Sequence, residues 1–481
     1  RGLGDVYKRQ TNTAIGMAAL DANTTGDQNV AVGGAALGAN TTAGNNTAIG
    51  YAALEANTTG TRLVAIGMNA LNSNTTANDN VAVGNNVLDA NTTGASNVAM
   101  GYNSLGANTT ASDNTAIGHK ALEANTTGAH HAAVGAFALQ SNTTGDENTA
   151  FGKSALGYNE TGNKNTAVGR SALSANLSSE NPAVGYKTLL ANTTGTRNTA
   201  LGAWALDSNT TSDDNTAVGY DALAANTTGG SNTAVGVYAL DANTTGGANV
   251  AIGYQSLSAN TTSSNNTAVG YHALVANTTG TENTAVGKSA LSTNTTASNN
   301  TAVGKSALNY NTGADNTAIG RAALFTNTTG ANMTAVGYNA LYANTTGSSN
   351  VAIGKDALDA NTTGNWNVAV GRNALGANTT ADANVSVGHD TLAANTTGTH
   401  NTAVGYNSLV LNTTTDYNTA VGSLTLAANI ANANTAVGYN VLNDNTTGTR
   451  NTAMGIAALD SCTTGSYNNA FGAYSLSAGV T

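Results

Sequence analysis

The chain is poor in almost everything that usually organises a protein of its length. One Cys among 481 residues excludes an intrachain disulfide framework, and Cys462 has no His in its own segment to make it a catalytic thiol. Charged residues make up 9% and aromatics 5%, against about 25% charged in ordinary domains. The 40% hydrophobic content is mostly Ala and Val, too small to build the roughly three conventional cores that the length suggests. Sixteen Lys and Arg against 26 Asp and Glu give a formal net charge of −10, which offers no overall basic excess to a nucleic-acid backbone or an anionic membrane. No apolar run approaches the about 18–20 residues of a membrane-spanning helix.

What is present is a repeat. A consensus Asn-Thr-Ala-Val-Gly-Tyr-Asn-Ala-Leu-Asp-Ala-Asn-Thr-Thr-Gly-x-x recurs 28 times, with its first glycine running from Gly16 to Gly472. Of the 27 spacings, 24 are 17 residues and three, ending at Gly185, Gly320 and Gly438, are 16. Seventeen residues are too few for a helix pair, and Asn, Thr and Gly are poor helix formers. Short β-branched segments bounded by turn residues predict instead an all-β chain, each copy one coil of a parallel β-solenoid with two short strands, at Asn-Thr-Ala-Val-Gly and at Ala-Leu. At about 4.8 Å per coil, 28 coils would extend on the order of 130 Å.

The columns of the stack follow from the alignment. The residue before each glycine is always apolar and the residue four after it is always Leu, which predicts core columns through Val32, Ile49, Val83 and Val168 and through Leu37, Leu54, Leu88 and Leu173. The residue two before the glycine is Ala in 27 copies and Ser386 in the other; strand alternation places it opposite the Val. One Val and one Leu per coil is a small apolar return for ordering 17 residues, so a lateral neighbour is expected. The small side chains of Ala31, Ala48, Ala82 and Ala167 mark the expected self-association face, the alternative being that Ala packs inside a flattened coil. The Asn that opens Asn-Thr-Thr, as at Asn23, Asn40, Asn57 and Asn91, would stack into an amide ladder. A turn is expected to absorb the residue lost in each short coil without shifting the core columns.

The motifs Asn-Thr-Ala-Val-Gly at 215–219 and Asn-Val-Ala-Ile-Gly at 249–253 resemble the head repeats of YadA-like trimeric autotransporter adhesins, over nearly the whole chain. That resemblance implies a left-handed β-roll, three chains side by side, on a bacterial cell surface. Those repeats are usually about three residues shorter, and no neck, stalk or barrel anchor is present here. The array is also similar to the shafts of phage tail-fibre-type proteins.

Catalytic and metal-binding patterns are weak. The His residues at 119, 130, 131, 272, 389 and 400 are scattered over repeat positions, and the adjacent His130 and His131 would point to opposite faces. Gly-Lys-Ser at Gly152, Gly287 and Gly304 lacks the upstream glycine of a phosphate-binding loop. No enzyme and no cofactor are implied. The position after each glycine is variable and interleaves Tyr51, Tyr102, Tyr220, Tyr254, Tyr271 and Tyr338 with cations such as Arg170 and Arg321, a candidate ligand-contact stripe suited to multivalent binding. Asn-x-Ser/Thr sequons such as Asn23, Asn91 and Asn159 read as ladder and turn chemistry rather than glycan acceptors. The Thr-Thr pairs present one outward column, which disfavours an ice-binding array. Arg1–Gln10 reads as translated sequencing adaptor, followed by an array over 11–481 that is truncated at both ends. The expectation is an extracellular adhesin head or fibre shaft, homotrimeric, with a passive spacer and an ice-binding solenoid as alternatives.

Overall fold

The computed structural model describes residues 11–477; the adaptor-like segment and Gly479, which replaces the last ladder Asn, lie outside them. Every copy contributes one three-residue strand, from β1 (Thr13–Ile15) to β28 (Asn469–Phe471), and no helix occurs among the described residues. The chain divides into two compact units, Arg1–Val235 and Gly236–Thr481. Within the first, each strand from β1 to β14 (Thr233–Val235) pairs in parallel with the next. Within the second, β15 (Val250–Ile252) to β28 do the same. Register is strict, Ala on Ala and the apolar column on itself, as in Ala31↔Ala48 and Val32↔Ile49. It persists through the three short coils, for example Ala167↔Ala183 and Ala420↔Ala436. The chain is thus a parallel β-solenoid with a period of about 17 residues.

The second expected strand does not form. The Leu of every coil has φ between 48° and 55°, and the residue two before it is left-handed as well, as in Ala35 (58°) and Leu37 (52°). Two left-handed residues with one between them make a corner, not a pleat. Coil-to-coil bonding survives the corner, since the Leu N–H donates to the next coil's carbonyl at about the same place, as in Leu37 N to Ala53 O (3.0 Å) and Leu54 N to Ala70 O (3.0 Å). A third left-handed position, Asn45 or Arg62, turns the chain back toward the strand.

The glycine after the strand is fixed by two constraints. All 28 have φ between 118° and 143°, a region closed to L side chains, and a Cβ would meet the backbone of the next coil, as at Gly33 and Gly50, though not at Gly472 in the last strand's coil.

Alternation holds, but the sequence assigned its two sides the wrong way round. Ala31, Ala48, Ala82 and Ala167 are completely buried inside the coil, so they form no self-association face. Val32, Ile49, Val83 and Val168 are not core residues; they point outward, with Ile49 39% and Val168 37% exposed. Leu37, Leu54, Leu88 and Leu173 are buried as expected. The reason is the width of the coil. The strand faces directly across to the residue before the Leu: Ser386, which interrupts the Ala column, donates its hydroxyl to the Thr391 carbonyl at 2.8 Å. Across so narrow an interior the strand column holds Ala, or Ser at 386, while the facing column holds Ala, Ser, Thr or Val, as at Val87 and Val441, and the volume left is filled by Leu and by Asn.

Two Asn columns occupy that interior. The expected ladder through Asn23, Asn40, Asn57 and Asn91 is present: Asn40 Nδ2 donates to Asn23 Oδ1 (3.1 Å) and Asn57 Nδ2 to Asn40 Oδ1 (3.1 Å). The second consists of the Asn that opens the strand motif. Asn29 Oδ1 accepts the backbone N–H of Asn46 (3.1 Å), and Asn46 Nδ2 donates to Gly60 O (2.9 Å), which also accepts from Asn57 (3.0 Å). One carbonyl in the turn therefore ties both ladders together, and buried amides are satisfied without water.

The 16-residue coils keep the core columns but cost a ladder link. In each, the ladder Asn turns its amide to the carbonyl two residues on, as Asn176 to Ser178, Asn311 to Gly313 and Asn429 to Ala431. The preceding Asn159 and Asn294 are left with Oδ1 buried and unpaired. At the third, Asn412 Oδ1 is rescued by the Thr415 hydroxyl.

Candidate functional site

Among the described residues the polar side chains of the interior are engaged in hydrogen bonds within the stack. Cys462 stands in the ladder, fully buried, where its Sγ approaches Gly465 O at 3.6 Å in place of an amide; burial pushes the thiol pKa up, and Asn445 Oδ1 loses its partner. Ladder Asn residues such as Asn91 are buried with both amide hydrogens engaged, which is the geometry of a structural role and not of a glycan acceptor. The first Thr of Asn-Thr-Thr also bonds within the stack, Thr58 Oγ1 donating to Thr75 O (3.0 Å).

His130 is exposed and His131 buried, on opposite sides as expected. His131 replaces an Asn in the second ladder and takes over its bonding: its backbone N–H donates to Asn114 Oδ1 (3.0 Å), and its Nδ1 accepts the backbone N–H of Asn148 (3.2 Å). Nδ1 must be unprotonated to accept, and burial holds the imidazole pKa below its ordinary value. A proton would be taken up by the unfolded chain first, so this contribution to stability is intact above about pH 6.5 and is lost as pH falls from there toward the folded pKa. We expect His131→Asn to remove up to about 1.4 kcal/mol per pH unit of acid destabilisation in that window. Urea unfolding at pH 7.5 and 5.5 checks this; equal slopes for both proteins would contradict it.

The remaining surface is set by two columns. On the outward strand face, the residue before the glycine is apolar in every copy and the residue two before that is usually Thr or Val. Beside it runs the column after the glycine. Its Tyr51, Tyr102, Tyr220, Tyr254, Tyr271 and Tyr338 are 40–64% exposed, and Arg170 and Arg321 are exposed too. The structure thus brings the predicted stripe together on one edge of the coils, with rings of successive coils in contact: Tyr254 and Tyr271 stack with centroids 5.5 Å apart and planes 15° apart, while Tyr102 stacks on His119 at 5.5 Å. Cations join the same column, Lys288 Nζ and Arg321 Cζ each lying 5.5 Å from a Tyr ring, Tyr271 and Tyr338 respectively.

Two features of the structure carry no clear signal in the sequence. The second Asn ladder is a column broken only by Leu63, His131 and Met333, but it sits in the strand motif, where nothing in the residue type marks it as a buried cross-link. The apolar column is plain in the sequence, but its outward direction is not, because apolar residues in a strand read as core.

No protein-family model matches the chain, and no curated protein matches it. Among the described residues no three of His, Cys, Asp or Glu converge as metal ligands.

Proposed function

We propose that the chain is a repetitive extracellular surface protein, an adhesin head or fibre shaft, whose coils associate side by side as a homotrimer and present the Tyr and cation column for multivalent attachment. The observation that carries this reading is the outward apolar column, unbroken through all 28 copies, including Ile252, Ile319 and Ile353 at 39–42% exposure. Monomeric proteins rarely expose a contiguous apolar patch beyond a few hundred Å². A three-residue strand at 4.8 Å spacing offers about 50 Å² per coil, so about sixteen coils already match the roughly 800 Å² per partner of a stable interface. A second copy of the same array is the partner whose repeat stays in phase along the whole column. The resemblance to trimeric adhesin heads supports the number three, the surface location and the adhesive role; a passive shaft would use the same association without a ligand.

Light scattering on the chain is expected to give a mass near three times 47.5 kDa. Ile252→Glu, Ile319→Glu and Ile353→Glu together should yield monomers with unchanged far-ultraviolet circular dichroism. A monomeric parent chain would overturn the association, and loss of attachment to surfaces only in the monomeric variant would tie adhesion to it.

A further inference from the structure

Cations are not spread evenly along the column after the glycine. Between residues 254 and 406 the chain contains five Lys and Arg, and all five, Lys288, Lys305, Arg321, Lys355 and Arg372, fall in that column. The other five positions of these ten consecutive coils are Tyr254, Tyr271, Tyr338, His389 and Tyr406. A chain of net charge −10 therefore carries one uninterrupted basic and aromatic strip, all within its second unit. The strip borders a shallow cleft of about 340 Å³ between Lys305, Arg321 and Tyr338 on one side and Phe325 and Tyr342 on the other. Phe325 and Tyr342 stack with planes 4° apart at 5.2 Å, making a flat apolar wall. Only part of the charge is neutralised within the chain: Lys355 pairs with Asp356 at 3.0 Å, and among the described residues Lys288, Lys305, Arg321 and Arg372 form no ion pair.

We propose that this strip is a binding track for a linear acidic polysaccharide, of the uronate or sulfated class. The assignment rests on reading the array as an attachment surface and names its ligand. Three properties select that chemistry. Within Lys288–Lys305–Arg321 and within Lys355–Arg372 charges recur at the coil spacing of about 4.8 Å, comparable to the length of one pyranose unit, so that carboxylates or sulfates on successive sugars meet successive cations. The exposed edges and hydroxyls of Tyr254, Tyr271 and Tyr338, 40–47% exposed, offer apolar C–H groups and hydrogen-bond partners to the C–H and hydroxyl groups of a sugar. The rings of Tyr254 and Tyr271 are already stacked on each other, which leaves no gap for the bases of a single-stranded nucleic acid to enter between them. Avidity then comes from many weak, equivalent contacts.

The test uses the full chain, immobilised polygalacturonate and heparin as probes, neutral dextran as the reference and an oligonucleotide as the competing polyanion. Parent protein should bind the two acidic polysaccharides, weaken with added salt and ignore dextran. Changing Lys288, Lys305, Arg321, Lys355 and Arg372 to Gln should reduce binding at least about tenfold. The same number of Gln substitutions at cations outside that column, Arg62, Lys120, Lys164, Lys187 and Arg197, with the same change in net charge, should leave it within about twofold. Equal loss in both variants, or preference for the oligonucleotide, would overturn the proposal. Attachment to surfaces without polysaccharide binding overturns the ligand while sparing the attachment reading; absence of both removes both.

Discussion

Asn91→Asp is expected to cost about 3–5 kcal/mol at pH 7, more than almost any other single change in this chain. Asn91 is completely buried, and each atom of its amide has a task. Its Nδ2 donates to Asn74 Oδ1 (3.2 Å) and Gly94 O (3.0 Å), and its Oδ1 accepts from Asn108 Nδ2 (2.9 Å). A carboxylate of the same shape keeps the last bond and turns the first two into contacts between acceptors, in an interior with no cation to offset the charge. The acid would hold its proton more tightly folded than unfolded, so the variant regains stability as pH falls through its raised folded pKa, the reverse of ordinary acid denaturation. Urea unfolding followed by circular dichroism at pH 7 and pH 4 reads both effects. A cost under about 1 kcal/mol that does not change with pH would show that the ladder is not holding the coils.

The second large effect distinguishes two adjacent glycines. Gly33 has φ +138° and a Cβ on it would lie 2.3 Å from Gly50 O, whereas Gly34 has ordinary φ and a Cβ would meet only the Tyr51 ring, at 3.3 Å. Backbone strain and collision with the next coil's carbonyl should make Gly33→Ala lose about 3 kcal/mol or more. Gly34→Ala should stay within about 0.5 kcal/mol. Local opening measured by amide hydrogen exchange at Ile49–Tyr51 provides the comparison. Similar protection in the two variants would mean that neighbouring coils can separate at this point without penalty.

Both results turn on contacts between one coil and the next, and that is where the sequence was legible. Strict periodicity forces identical residues above one another, so the parallel solenoid, the buried Leu column and the Asn23–Asn40–Asn57 ladder follow from counting alone. What counting does not supply is the cross-section. Alternation shows that Ala48 and Ile49 point oppositely, but which is inside depends on how far the strand sits from the opposite wall, and that distance is set by the left-handed corners at Ala52 and Leu54. Nothing in the residue type announces a left-handed Leu, since Asn or Gly is the usual occupant of that region. The same blindness hid the second ladder: Asn46 reads as a turn residue and is a buried cross-link. The exposed stripe and the concentration of its cations between residues 288 and 372 are legible as a column, while the cleft and the stacked rings beside it emerge only from the structure.

The ladders look one coil back and one coil forward and no farther. Asn57 is bonded to Asn40 and to Asn74, and nothing in those bonds depends on how many coils lie beyond. Copy number is therefore unconstrained by the fold. Recombination between near-identical coding repeats could lengthen or shorten the array by whole coils and leave every remaining bond as it was, whereas a slip of one residue inside a turn is recorded permanently, as a missing link beside Asn176 and Asn311.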